Sequence, residues 1–160
     1  MEETTRNALI ELCSEAFEGA QSEGTWFVEN DPGCGVFGTL DGITAEAASR
    51  PSGAGKSSLA GHAGHLLFAI RVANDYALSR DLMLDWEPSW QHQTVNDKEW
   101  DQLRRDMRQE AAQFIEYLRT DPGWSQDDDP GWSQDELTRT IGCLAHIAYH
   151  LGAMRQLRPG

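Results

Sequence analysis

The chain has 160 residues, of which 39% are hydrophobic and 24% are charged, and its formal net charge is −13. This length and composition predict one globular domain and exclude a wholly disordered chain. So acidic a surface repels phosphate groups, which argues against nucleic acid and anionic membranes as partners. No apolar run approaches the roughly 18 residues of a membrane-spanning helix, and the acidic start MEETTRNALIELC lacks the basic residues of a signal peptide. An odd, sparse set of cysteines favours a reducing compartment, so we expect a cytoplasmic protein.

Four segments of the chain have helical periodicity. The first helix is predicted over about residues 4–17, with a threonine as its N-cap. A long, glycine-rich connection follows, in which a short helical turn is predicted over residues 44–49. The second helix is predicted over about residues 57–78 and has a broad apolar face. The third, over about 97–118, alternates apolar residues at spacings of three and four, and the fourth covers about 135–157.

The fourth helix carries an apolar stripe that is expected to face the core. Its predicted inward residues are Leu137, Ile141, Leu144, Ala148, Leu151 and Met154. No stretch of the chain alternates convincingly at the period of two that is typical of a strand. The sequence therefore predicts an all-α protein, a four-helix bundle with a long connection between its first and second helices.

A tandem duplication lies between the third and fourth predicted helices. The sequence DPGWSQD at residues 121–127 recurs at residues 129–135. Two such short copies cannot form a solenoid, Asp-Pro-Gly is typical of turns, and lengthening a surface loop costs little free energy. We interpret residues 121–136 as a duplicated spacer loop within a single domain covering residues 1–160. Alternatively, the two tryptophans of the repeat cover one end of the bundle or bind a partner.

The chain has two features that resemble functional sites, a phosphate-binding loop and a nucleophilic cysteine, and neither has the surrounding residues that its function requires. SGAGKSS resembles a phosphate-binding loop, but that motif requires glycine where this chain has Arg50. Cys34 lies between glycines without a neighbouring base, so a nucleophilic role has no support. His92 is predicted to be a surface residue.

The remaining histidines form two closely spaced pairs. His146 and His150, four residues apart on the fourth helix, share one helical face and can share one metal ion. His62 and His65 are three residues apart on the second helix and are candidates to face the same interior. Buried imidazoles need polar partners, which are either a metal ion or buried carbonyl and carboxylate groups. Zinc and nickel are the divalent metals that suit imidazole, whereas the H-E-x-x-H protease pattern is absent, because Ile147 follows His146.

Three segments resemble successive helices of the DinB-like (DinB/YfiT) superfamily: SLAGHAGHLLFAIRVAN, DWEPSWQHQTVNDKEWDQLR and TIGCLAHIAYHLGAMRQLR. Members of that superfamily are four-helix bundles, and many bind a divalent metal through one histidine of the second helix and an H-x-x-x-H pair of the last. The resemblance implies His65, His146 and His150 as the metal ligands here, with His62 as the alternative to His65. It also implies a homodimer, since dimers are frequent among such relatives.

The resemblance further implies a class of reaction, because some relatives are thiol-dependent transferases or isomerases. By this analogy the chain is a metal-dependent enzyme that acts on a small-molecule substrate with a low-molecular-weight thiol as a second cofactor. Tyr149 and Arg155 flank the histidine pair and are candidates for substrate binding, Cys143 either approaches the metal or packs, and no catalytic residue is assigned. The alternative hypothesis is a non-catalytic bundle, with or without metal, that acts as a binding or stress-response module.

Overall fold

The computed structural model describes residues 2–21, 23–26, 28–31, 33–54, 56–78, 85–120 and 132–158. Within these residues the chain is all-helical. Its elements are α1 (Glu2–Glu18), α2 (Val36–Asp41), α3 (Ala45–Ala48), α4 (Leu59–Ala77), a 3-10 helix (Glu87–Trp90), α5 (Asp97–Thr120) and α6 (Gln134–Gln156). No helix in the described part of the chain combines the length and the apolar character needed to cross a bilayer.

The four long helices α1, α4, α5 and α6 form the bundle that the sequence predicts. Helices α4 and α1 each pack against both α5 and α6, so one apolar core runs between them. Its largest fully buried side chains are Phe17, Leu40, Leu59, Leu66, Ile70, Trp100, Met107, Leu118, Ile147, Leu151 and Met154. Burying one such aliphatic side chain contributes about 1.5–3 kcal/mol, which is why the apolar stripes dictate how the helices pair.

The long connection between α1 and α4 is more ordered than its glycines indicate. The short helix α3 forms where predicted, with the Thr44 side chain accepting a hydrogen bond from the backbone N–H of Ala47. The sequence analysis missed α2, because Gly38 interrupts its apolar pattern. A Cβ at Gly38 would lie only 2.0 Å from the carbonyl oxygen of Gly33, so glycine is required there for packing. Gly33 itself has φ of 85°, a backbone conformation that favours glycine.

The inward face of α6 agrees with the predicted one in most of its residues. Leu151 and Met154 are buried, and Leu137 and Leu144 are partly buried against the core. Ile141 was expected in the core but is 50% exposed. The residues that α6 buries are Thr140, Ile147, His150, Leu151 and Met154. Because this face includes a threonine and a histidine, apolar periodicity alone does not identify all of it.

Residues 121–131, which hold most of the duplicated spacer loop, lie outside the described residues, and the spacer interpretation stays a prediction. The end of the second copy is described, and it begins α6. Ser133 is the N-cap and forms a capping box with Glu136. The Trp132 ring stacks on the Tyr117 ring of α5 at 5.7 Å between centroids, so this tryptophan packs on the bundle.

The start of α4 is held against the segment that follows the 3-10 helix. The Ser58 hydroxyl caps α4 by accepting a hydrogen bond from the Gly61 N–H at 3.0 Å. The Ser58 N–H donates to Oε1 of Gln93 at 2.8 Å. A Cβ at Gly61 would lie 2.4 Å from the Gln93 side-chain amide, so only glycine permits this approach. As a result, the 3-10 helix lies beside the N-terminal half of α4, where two of the histidines are.

Candidate metal centre

Four histidine rings meet where α4 faces α6. His62 and His65 come from α4, and His146 and His150 come from α6. One ring nitrogen from each of His65, His146 and His150 lies within 4.8 Å of the other two. His150 is only 1% exposed and His65 only 7% exposed, while the other two rings are half-buried. The three histidines that the family resemblance implied are therefore brought together in space.

The two histidines of α6 are already in contact through the nitrogens that would bind a shared ion. Nε2 of His146 and Nε2 of His150 are 2.7 Å apart. Two lone pairs repel at that distance, so in the metal-free protein one of these nitrogens carries a proton and donates it to the other. An ion that replaces the proton would accept both lone pairs at once.

His65 is oriented by the 3-10 helix. Its Nδ1 lies 2.7 Å from the Ser89 hydroxyl oxygen. That hydroxyl donates its own hydrogen to the Trp86 carbonyl at 2.6 Å, so its oxygen accepts from Nδ1–H of His65. The proton of His65 is thereby assigned to Nδ1, and Nε2 is left with a free lone pair. The Trp90 ring stacks on the His65 ring at 4.1 Å between centroids and fixes its plane.

His62 occupies a corresponding position beside His150. The two Nδ1 atoms are 3.0 Å apart, on the side of the His150 ring away from His146. If Nε2 of His150 binds an ion, its Nδ1 carries the proton and donates to Nδ1 of His62. This geometry favours His62 as an orienting partner of a ligand, and its role as the alternative ligand to His65 stays a prediction.

Burial keeps these rings uncharged. Burial, followed by the charges of His146 and His62, lowers the pKa of His65 from the ordinary 6.5 to about 4. Burial, followed by the charges of the three neighbouring rings, lowers the pKa of His150 to about 3. Burial also lowers the pKa of His62 and of His146. The rings are thus neutral at pH 7, the protonation state that binds metal, and their nitrogen donors suit zinc or nickel.

A cavity borders the histidine cluster at His146. It has a volume of about 200 Å³ and lies between α4 and α6. A larger cavity of about 380 Å³ lies on the other side of α4, towards α5, and meets the site only through Ser89. Because only the first cavity reaches one of the three converging histidines, it is the space in which a molecule could approach a bound ion.

The two candidate substrate-binding residues differ in their relation to the cluster. Tyr149 is 68% exposed, and its ring lies perpendicular to the His150 ring with 5.1 Å between centroids, so it forms part of the outer rim. Arg155 forms an ion pair with Glu29, and its hydrogen bond lowers the pKa of that carboxyl group. The guanidinium of Arg155 is therefore engaged by a carboxylate of this chain, and substrate binding by either residue stays a prediction.

Two further residues have clear positions. Cys143 lines the cavity beside His146 but lies outside the group of converging nitrogens. Burial raises the pKa of its thiol to about 12, so it is protonated at neutral pH. His92 is exposed, as predicted, and its Cβ lies 3.2 Å from where a Cβ of Gly64 would be.

The sequence analysis did not identify Ser89 or Trp90 as part of the site. Both lie in EPSW, residues 87–90, to which it assigned no role in the site. The tryptophan two residues after a proline was the available signal, because a large aromatic residue in a short polar connection usually packs against something. Its target, His65, is not deducible from the local sequence.

The comparisons with known proteins agree with this architecture. A family model described as the DinB superfamily matches residues 36–153, which include α2 through most of α6 and all four clustered histidines. No curated protein and no solved structure gave a significant match. Since the family model covers well over half of the chain, the chain belongs to the DinB superfamily.

Proposed function

We propose that this protein is a divalent-metal-dependent enzyme in which His65, His146 and His150 hold the ion, with zinc or nickel as the metal. The observation that carries the proposal is the convergence of three neutral imidazole nitrogens from two helices within 4.8 Å of one another. Two of the rings are almost fully buried. Within the described part of the chain, the nitrogens of two of the three converging rings contact only other imidazoles, which are weaker partners for a nitrogen lone pair than a divalent ion. A bound ion would therefore stabilise this arrangement.

The chain's own residues would prepare the ligands. The Ser89 hydroxyl oxygen accepts a hydrogen bond from Nδ1–H of His65, which leaves Nε2 of His65 available to the ion. In the same way, Nδ1 of His62 accepts a hydrogen bond from Nδ1–H of His150. Three protein ligands leave at least one coordination position open. In that position a bound divalent ion supplies Lewis acidity, which lowers the pKa of a thiol or a water molecule.

We further propose that the reaction is a transfer or an isomerisation that uses a low-molecular-weight thiol. In a transfer, the S–H bond of the thiol breaks and a bond forms between sulfur and an electrophilic carbon. The displaced group leaves with the electron pair of its own bond, and the thiol proton passes to a base or to solvent. The cavity of about 200 Å³ beside His146 supports a small-molecule substrate, because it offers an apolar space next to the converging nitrogens. Cys143 stays a protonated thiol in the wall and is not the nucleophile.

A cytoplasmic location and a homodimer are also part of the proposal. The support for a dimer is the outer face of α6, where Ile141 and Tyr149 are exposed and where Gly142 and Gly152 have open space beside them. Sedimentation of the protein at several concentrations tests the dimer directly. A monomer at every concentration would remove the dimer while leaving the metal proposal intact.

The first experiment is elemental analysis of tag-free protein beside a His65→Ala variant, both purified without chelator. We expect about one equivalent of transition metal in the parent and far less in the variant, with circular dichroism showing that both are helical. The matched control is His92→Ala, which removes an exposed histidine outside the cluster and should keep the metal.

The outcomes separate the candidate functions. Metal loss confined to His65→Ala supports the site and justifies a screen of thiols with electrophilic acceptors. A parent that holds the ion but turns over no thiol would favour a metal-binding module without catalysis. A parent that takes up neither zinc nor nickel at neutral pH would contradict the metal proposal and favour the metal-free binding module.

A further inference from the structure

A second cavity adjoins the cavity beside His146 and shares part of its wall. The second cavity has a volume of about 110 Å³ and lies between α4, α5 and the start of α6. Both cavities are lined by Ala73, Tyr76, Arg139 and Cys143. We call the two together the α4–α6 groove. It leads from the histidine cluster towards Arg139, which lies seven positions before His146 on α6, or about 10 Å along the axis at 1.5 Å per residue.

The walls of the groove near the histidines are mostly apolar. Ala69, Val72 and Ala73 line one side of it, and the partly exposed ring of Trp86 also contributes. An apolar wall beside a polar cluster is the usual composition of a small-molecule site, in which apolar area binds the ligand body and a few polar groups orient it.

A single cation marks the far end of the groove among the residues that line it. The Arg139 guanidinium lies over the Tyr76 ring at 5.1 Å from the centroid, a cation–π contact that holds it in place. Arg139 also forms an ion pair with Asp135. Both partners of that pair are exposed, so the pair contributes little stability and a better-placed anion can replace the aspartate.

The other acid of the groove is engaged elsewhere. Glu136 lines the second cavity, but its carboxylate accepts hydrogen bonds from the Ser133 N–H and hydroxyl, each at 2.7 Å. Those bonds belong to the cap of α6, which orients the carboxylate towards the helix N-terminus. Arg139 is therefore the polar group at this end of the groove that has a weak competing partner and that a ligand anion can bind.

We propose that the α4–α6 groove binds a substrate with an apolar body and a carboxylate at its far end, with the carboxylate on Arg139 and the reacting group at the histidine cluster. The placement of the substrate's reacting group at the histidines rests on the proposed function. The placement of its carboxylate on Arg139 rests on the groove alone. Because the Arg139 side chain is half exposed, its ion pair with a ligand carboxylate contributes about two- to fivefold in affinity. Arg139 is thus a specificity-determining residue and not a catalytic one.

The test uses two thiols of equal length on protein loaded with cobalt. Mercaptohexanoate carries the carboxylate, and mercaptohexanol replaces it with a neutral hydroxyl. Binding of either thiolate is read from the sulfur-to-cobalt absorption band. We expect the carboxylate thiol to bind about two- to fivefold more tightly to the parent, and we expect Arg139→Gln to abolish the difference. The control is Arg50→Gln, which breaks a similarly exposed ion pair on α3 and should preserve the preference.

Equal affinity for the two thiols in the parent would overturn the inference, as would a preference that survives Arg139→Gln. If no thiol produces the band, thiol binding at the metal, and with it the proposed function, has failed, and the groove is tested without the metal. In that case NMR titration of the metal-free protein with hexanoate should shift the signals of Val72, Tyr76 and Cys143, and those shifts should be lost in Arg139→Gln. Unshifted signals in the parent would overturn the groove proposal on its own.

Discussion

The two sides of α4 satisfy their polar groups in different ways. Towards α5, Arg71 donates to Asp106 at 2.7 Å and to Glu110 at 3.2 Å. Asn74 donates to the Glu110 carboxylate at 2.8 Å. Here donors meet acceptors of opposite charge or matching chemistry, although Oδ1 of the buried Asn74 has no hydrogen-bond partner among the described residues.

Towards α6, the polar groups of α4 meet others of the same kind. His62 faces His150, and His65 is one of three rings whose nitrogens converge. Neutral imidazoles share one proton for each contact, so Nε2 of His65 keeps a free lone pair, while the two Nε2 atoms of His146 and His150 share a single proton that an ion can replace. Towards α5, pairing between opposite charges stabilises the packing of α4. Towards α6, imidazoles that pair with other imidazoles can still bind an ion.

The largest expected effect is a loss of metal affinity when a proposed ligand on the α6 side is removed. His150→Ala should lower metal affinity by more than about 100-fold, because losing even an orienting partner costs 10–100-fold. Competition with a chromophoric chelator measures it. The matched change on the α5 side, Arg71→Ala, should leave the affinity unchanged. An equal loss of metal affinity in the two variants would contradict this difference between the two sides of α4. It would show that metal affinity depends on the packing of α4 and not on the histidines.

A smaller effect is expected from Ser89→Ala, which removes the acceptor for His65 Nδ1–H. Metal affinity should fall by about 10–100-fold while the fold is retained. Ser89→Thr keeps the hydroxyl and should restore most of the affinity, since Ser89 borders the cavity of about 380 Å³ and the added methyl group has space. A cobalt spectrum that is altered in the alanine variant and normal in the threonine variant would separate orientation from packing. Failure of threonine to rescue would contradict the assigned hydrogen bond.

The metal-free protein should lose stability as the pH falls. The unfolded chain takes up protons on histidine near pH 6.5, but folding lowers the pKa of His65 to about 4 and that of His150 to about 3. Between these values the unfolded state binds more protons, so the free energy of unfolding decreases from pH 6.5 down towards pH 3. Denaturant titrations across this range measure the slope. His150→Gln, which cannot titrate, should flatten it, and an unchanged slope would indicate that carboxylates alone cause the loss.

The smallest effect is expected on the α5 side. Arg71→Ala should lower the free energy of unfolding by about 0–1 kcal/mol, because the Arg71 side chain is half exposed and exposed ion pairs contribute little. Urea denaturation with and without 1 M salt measures it, and the salt should remove most of the difference from the parent. A loss well above that range would show that the α5 side depends on its charges more than their exposure indicates.

Much of the bundle could be predicted from the sequence, because periodicity and helix caps are local signals. The spacing of apolar residues placed α4, α5 and α6 within a few residues of their ends, and His146 and His150 had to share a face once α6 was a helix. The buried face of α6 could be obtained only in part this way, since it includes the polar residues Thr140 and His150 and excludes Ile141.

The orientation of His65 was also beyond sequence reasoning. It depends on Ser89, 24 positions later in the chain, and on a 3-10 helix whose docking follows from tertiary packing. Contacts between distant parts of the chain carry no local pattern, so the converging histidines could be proposed from the sequence while the group that orients His65 could not.

The capping box at the start of α6 has a consequence for how the chain tolerates the duplication. Ser133 and Glu136 have the S-x-x-E spacing, whereas the first copy has Asp128 at the position that corresponds to Glu136. The shorter aspartate does not complete the motif, so the full start signal belongs to the copy next to the helix. The number of residues between this capping box and the two histidines His146 and His150 does not depend on how many copies of the repeat precede it. An insertion upstream therefore leaves the angular positions of both histidines on α6 unchanged, and the site is insulated from variation in loop length.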